Sequence, residues 1–171
     1  MRYKFLYSII FLSVASGCGS LGTRQPVTPI EPPRPAATAP SPQHTEALLQ
    51  AIIALDTDYR YGGRSLANGF DCSGLVAHVY KTAWNLELPH NARAQSEYGT
   101  PVATDDLRPG DLVFYNTLNR PYSHVGIYLG EGKFIHAPRT GARVRIESLR
   151  KRYWVRRFDG ARRVHPPTDR L

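Results

Sequence analysis

A chain of 171 residues, 42% hydrophobic and 21% charged, is long enough for one domain with a real core and too short for several. Its formal charge of +8 suits an anionic partner such as a cell wall or a membrane surface. Two cysteines exclude a disulfide-rich scaffold. The charge comes with no nucleic-acid-binding motif, so nucleic acid is not expected as a partner.

The first residues read as a targeting segment. Arg2 and Lys4 form a positive n-region, and Phe5 to Val14 is an apolar stretch too short to span a bilayer. Ala15-Ser16-Gly17-Cys18 is a small-residue run ending in cysteine and resembles a bacterial lipobox, with Ala15 where that pattern usually has Leu. On this reading 1–17 is a lipoprotein signal peptide and Cys18 is the lipidated first residue of the mature chain. Its acyl chains then anchor the protein to a membrane. Gly19, with no Asp after the cysteine, resembles outer-membrane sorting, facing the periplasm in a Gram-negative envelope. Removing 1–17 takes away Arg2 and Lys4 and no acid, leaving 20 basic residues against 14 acidic, a net of +6.

Residues 18–43 are the lipidated N-terminus and a linker. Half of the 14 prolines fall here, from Pro26 to Pro42, with almost no apolar periodicity. Such a segment is an extended tether with a reach on the order of 70 Å. Residues 44–171 hold the working domain. A first helix capped by Thr45 or Ser41 is expected to carry Leu48, Leu49, Ile52, Ile53 and Leu55 on its buried stripe. Tyr61-Gly62-Gly63 breaks it. A second helix is predicted from Asp71, with Leu75, Val76, Val79 and Tyr80 inward, and a short third over 92–98. After the turn Leu107-Arg108-Pro109-Gly110 the period changes to two. Strands are predicted over 111–115, 124–129, 133–137, 143–147 and 154–158. Helices first and strands after define an α+β domain, with N-terminal helices packed on an antiparallel sheet.

With Cys18 lipidated, Cys72 is an unpaired thiol in an exported chain, and such a cysteine points to reactivity. Asp71 has the chemistry of an N-cap, which puts Cys72 in the first helical turn, where the helix dipole favours a thiolate. A buried inert thiol is the bland alternative. A thiol nucleophile needs an imidazole. In His124-Val125-Gly126-Ile127-Tyr128-Leu129 the alternation puts His124, Gly126 and Tyr128 on one face. If Gly130-Glu131-Gly132 is a three-residue loop, Ile135 opposes Ile127, and His136 becomes a diagonal neighbour of His124 able to orient it. A two-residue loop would turn His136 to the other face. Zinc held by Cys72, His124 and His136 is the weaker alternative, because no close ligand pairing accompanies them.

Five blocks carry a resemblance, in order: Tyr59-Arg60-Tyr61-Gly62-Gly63, Phe70-Asp71-Cys72-Ser73-Gly74-Leu75-Val76, Leu107-Arg108-Pro109-Gly110-Asp111-Leu112-Val113-Phe114, His124-Val125-Gly126-Ile127-Tyr128 and Phe134-Ile135-His136-Ala137. Together they resemble the NlpC/P60 family of cell-wall cysteine peptidases, which has a papain-like fold, and the likeness runs from about Tyr59 to Val164. The resemblance implies Cys72 as nucleophile, His124 as general base and His136 as the residue orienting it. It implies that Tyr59 helps bind substrate or stabilise the oxyanion, and that Asp71 and Ser73 are cleft residues. The implied reaction is hydrolysis of an amide in peptidoglycan stem peptides or crosslinks, with no metal or organic cofactor needed. The chain is expected to act as a monomer, although nothing in its sequence speaks to oligomeric state. Leu88-Pro89-His90 departs from the family's usual Leu-Pro-Arg, with Arg93 nearby as a substitute. His78 and the arginine pairs 156–157 and 162–163 read as surface. Two other functions suit the same residues: a non-catalytic wall-binding module, and a thiol acyltransferase on a related fold. In the latter, histidine usually precedes cysteine in the chain, whereas here Cys72 comes first.

Overall fold

The computed structural model describes residues 42–167. The signal segment, Cys18, Ser41 and most of the linker lie outside them. The first helix, α1 (Pro42–Ile53), starts two residues before the expected domain boundary. Pro42 takes the first helical position, where a missing N–H costs nothing. Its inward residues are not the expected large ones. Ala47 and Ala51, with Ala54 just beyond, are fully buried, while Leu49, Ile52 and Ile53 are exposed. Alanine lets α1 approach the second helix closely, so the small residues of its two helical stripes face the core.

The turn at Gly62-Gly63 leads into a two-stranded hairpin, β1 (Arg64–Ser65) and β2 (Gly69–Phe70), that sequence alone did not reveal. The second helix, α2 (Cys72–Trp84), buries Leu75, Val76, Val79 and Tyr80 as its periodicity demands. It ends at Asn85, a left-handed C-cap with φ 52°. The third, α3 (Ala92–Gln95), is capped by Asn91 and is shorter than predicted.

Six antiparallel strands follow: β3 (Thr100–Val102), β4 (Leu112–Tyr115), β5 (His124–Gly130), β6 (Lys133–His136), β7 (Arg145–Ser148) and β8 (Phe158–Arg163). Their order in the sheet is β3-β8-β4-β5-β6-β7. One face, through Leu112, Phe114, Val125, Ile127 and Ile135, joins the core that contains α1 and α2. The other carries a second cluster of Val113, Tyr115, Phe134, Trp154 and Ala161.

Two expectations need correction. Residues 154–158 do not form a strand. Trp154 belongs to a helical turn, α4 (Arg152–Val155), and the last strand begins at Phe158 and inserts between β3 and β4. The turn lets Trp154 fold onto the Tyr115 and Phe134 rings at 4.7 and 5.1 Å, a contact that local periodicity cannot foresee. Nor are the arginines at 162–163 solvated. Arg163 makes a two-pronged ion pair with buried Asp111, at 2.9 and 2.7 Å, and Arg162 donates to the Ser96 carbonyl at 2.6 Å. Both tie β8 to neighbouring segments.

The β5–β6 hairpin also differs in detail. Its loop has two residues, Glu131 and Gly132, because Gly130 pairs with Lys133. A bulge beside Leu129 absorbs one residue and restores Ile127 opposite Ile135. His136 therefore reaches the His124 face despite the short loop.

Candidate active site

Local capping chemistry places the thiol. Asp71 is the N-cap of α2 and accepts from the Gly74 amide at 2.7 Å and the Ser73 hydroxyl at 3.0 Å. Its other oxygen accepts from the Gly62 amide at 2.9 Å. His90 Nε2 lies 3.2 Å from the same carboxylate and packs where a Cβ on Gly74 would sit. Cys72 is the first helical residue and half-buried. Ser73 is buried and spends its hydroxyl on the cap. His90, which stands where the family usually has arginine, thus lies beside Asp71; Arg93 instead lies over the Tyr122 ring, 5.0 Å from its centre. His78 is half-buried against the Phe70 ring at 5.0 Å, rather than on the surface.

The strands bring up the imidazoles. The backbone amides of Val125, Ser73 and Cys72 itself lie near enough to the Cys72 sulfur to favour its charged form. The start of β5, where His124 sits, therefore abuts the thiol. His124 is buried, and its Nε2 lies 2.8 Å from His136 Nδ1 on β6. The remaining nitrogen of His124 is Nδ1. Tyr59 feels Cys72 and Asp71 electrostatically, which joins it to Cys72, Asp71 and Ser73 at the start of α2, so the six expected domain residues lie in one neighbourhood. Burial raises the Tyr59 phenol, with Cys72 and Asp71 adding to the shift.

Electrostatics define the resting protonation. Burial pushes the Cys72 thiol up to about 11, and the Asp71 carboxylate adds to this; the three amides pull down but lose. The helix-start position alone would have lowered it. Burial drives both imidazoles well below their usual value of 6.5. Burial thus favours the neutral form of the thiol and of both imidazoles.

Two residues of this site escaped the sequence reading. Trp154 stacks on His124 at 5.6 Å, with planes 19° apart, and meets His136 edge-on. Glu147, on β7, is nearly buried and gathers Arg145 at 2.6 Å, Lys151 at 3.0 Å and the Trp154 indole N–H at 2.8 Å. Burial alone would raise its carboxyl; these donors and His136 outweigh that and hold it at about 2. The available signal was a lone acid in a strand after His136, meaningful only once the strand order is known. Gln95, fully buried, fixes the helix start by donating to the carbonyls of Ser73 and Pro89 at 3.0 and 2.8 Å. Depressions of about 700 and 390 Å³ lie nearby, one walled by Tyr59, Arg60 and Arg143, the other by His124, Arg139 and Tyr153. Among the described residues, no group of three or more His, Cys, Asp or Glu is arranged to hold a metal ion.

An α+β domain with a cysteine opening a helix, set against paired histidines on an antiparallel sheet, defines a class, and comparison with known proteins agrees. The profile of the NlpC/P60 family matches residues 56–163. The chain belongs to the NlpC/P60 family. It is 46% identical over 124 residues to Murein DD-endopeptidase MepH of Escherichia coli K12, covering 71% of this chain and 46% of that one. It is 42% identical over 109 residues to Probable endopeptidase NlpC of the same strain, covering 63% and 70%. A crystal structure of an NlpC/P60 family protein from Bacillus cereus ATCC 10987 superposes with a TM-score of 0.68 at 32% identity, over 74% of this chain and 42% of that one. The NlpC/p60 domain of the peptidoglycan hydrolase SagA gives 0.62 at 30% identity, over 71% and 98%. The match spans about half or less of the length of the first three curated relatives.

Proposed function

We propose that this protein is a peptidoglycan endopeptidase that hydrolyses an amide in stem peptides or crosslinks by a thiol mechanism. The observation that carries the reading is the half-buried thiol at the start of α2, set beside Val125 at the start of β5, where the preceding residue, His124, holds its Nε2 2.8 Å from a second histidine. Its relatives' names supply the substrate class: MepH and MepS are murein DD-endopeptidases.

Because burial favours the neutral thiol and the neutral imidazole, proton transfer accompanies attack. The Cys72 proton moves to His124 Nδ1 as the sulfur bonds the carbonyl carbon. The oxyanion takes a hydrogen bond from the Cys72 backbone N–H, with Tyr59 alongside. The intermediate collapses, the C–N bond breaks, and His124 Nδ1 gives its proton to the leaving amine. Water then attacks the thioester while His124 takes its proton, and the thiol is restored. His136 holds the His124 ring in place through this cycle. Asp71 holds the helix start. No metal or organic cofactor enters these steps.

The test is digestion of purified wall material followed by mass spectrometry of the soluble fragments. Wild-type protein releases peptide products and Cys72→Ala releases none; undiminished release by Cys72→Ala would sink the assignment, and the fragments identify the bond. We further propose that the protein acts as a monomer, lipidated at Cys18 and tethered by the proline-rich linker to the outer membrane. Palmitate labelling that disappears in Cys18→Ala is the expected result, and labelling that persists would refute the anchor.

A further inference from the structure

The proton on each histidine has a direction to choose. His124 Nε2 and His136 Nδ1 share one hydrogen bond, so only one of them carries a proton at a time in the neutral pair. If it sits on His136 Nδ1, the far edge of His136 is a bare lone pair, and His124 carries its own proton on Nδ1, the nitrogen that the proposed mechanism uses as base. In that arrangement His124 cannot act as a base. Nothing within the two-histidine pair decides between the two arrangements.

The group beyond His136 does decide. His136 is fully buried, and its Nε2 has no hydrogen-bond partner at ordinary distance. Glu147 Oε1 stands 3.5 Å from it. Three donors hold that carboxylate: Arg145 on Oε1, and Lys151 and the Trp154 indole on Oε2. An ionised carboxylate only accepts. A lone pair on His136 Nε2 would therefore face a negative oxygen in a buried setting, whereas an N–H there is attracted to it.

We propose that Glu147 is a positioning residue that sets the polarity of the proton chain. It keeps the proton of His136 on Nε2. His136 Nδ1 must then accept from His124 Nε2–H, and His124 Nδ1 is left as a free lone pair, able to take the Cys72 proton in the proposed mechanism. When that nitrogen takes the thiol proton, the new imidazolium charge lies along a chain that ends at a carboxylate. Trp154 completes the device by stacking on His124 while its N–H braces Glu147. The inference rests on Cys72 as the nucleophile for its consequence, but the tautomer it assigns is independent of what the protein cleaves.

Nitrogen-15 NMR of the wild-type protein reads the tautomer without any substitution. The expected result is a protonated Nε2 and bare Nδ1 on both His124 and His136. A protonated Nδ1 on His136 overturns the proposal, whether or not wall material is cleaved. Glu147→Gln then supplies the kinetic arm. Its amide can keep an oxygen toward Lys151 and Trp154 while turning donors toward His136, which favours the wrong tautomer. The expected loss in kcat/KM is on the order of ten- to a hundred-fold, carried by kcat rather than KM. The charged groups facing the pair are Glu147, Arg145 and Lys151, with the Tyr115 phenol in the field of Glu147. Of these the variant alters only Glu147, whose charge favours the imidazolium form, so the acid limb of the pH–rate profile should move to lower pH by roughly half a unit or more. Trp154→Phe, which removes the indole N–H but keeps the Glu147 charge, should move that limb less than Glu147→Gln does. An unmoved limb in Glu147→Gln, or wild-type kcat/KM, overturns the proposal.

Discussion

Replacing Gly126 with alanine should damage the site through one added methyl group. Gly126 lies in β5 on the same face as His124, alongside β6. A Cβ there would stand 2.7 Å from Phe134 Cδ2, 2.8 Å from the Ile135 carbonyl oxygen and 3.2 Å from His136 Cβ. Ordinary contact begins near 3.4 Å, so β6 must retreat by about 0.6 Å. Phe134 cannot yield cheaply, because Tyr115 and Trp154 hold its ring at 5.2 and 5.1 Å. Overpacking of this kind costs about 1–3 kcal/mol, or a melting temperature lower by roughly 4–12 °C. The same retreat carries His136 away from His124 and stretches their 2.8 Å hydrogen bond beyond ordinary length. If the proposed function holds, hydrolysis of a synthetic stem peptide should then fall on the order of ten-fold or more, since small misplacements of a positioning group are expensive. Denaturation midpoints and peptide turnover are measured side by side. A variant with wild-type midpoint and wild-type turnover would refute the claim that close approach of β6 requires glycine here.

Two further outcomes are expected. Both buried imidazoles have folded values below 6.5, so the unfolded chain binds their protons first as pH falls. Their neutral burial therefore costs stability from about pH 6.5 downward, while the contribution of depressed Glu147 is lost only below its ordinary 4.5. Thermal melts between pH 7 and 4.5 should show falling stability, with a shallower slope in His136→Asn; a slope unchanged in that variant would contradict the assignment. Ser73→Ala should lower stability by about 1 kcal/mol and leave KM alone, because the hydroxyl is spent on the Asp71 cap. A raised KM with unchanged stability would return Ser73 to the substrate cleft.

Some of this was legible in the chain. Asp71 before Cys72 announces a helix start, because a carboxylate at that position satisfies first-turn amides. The alternation from His124 to Leu129 announces a strand and its two faces. Other features were not legible. The first helix has two stripes with helical spacing, and only the nearness of α2 selects the alanines. The short loop after Gly130 argues for the wrong face of His136, and the bulge that corrects it is settled by pairing across the sheet. Trp154 looks like a strand residue until Tyr115, Phe134 and the two histidines are placed around it.

By itself, the sequence determined which groups could do chemistry and the local frames that hold them: one thiol on a helix start and two histidines on neighbouring strands. Capping and alternation act over a few residues, so they can be read along the chain. Only the tertiary structure decided which way burial and charge push those groups, and the company they keep. Burial raises the thiol against the pull of its own helix, and Glu147 reaches His136 from a strand eleven residues onward. Desolvation and charge act through space, and their strength depends on packing that no local pattern records.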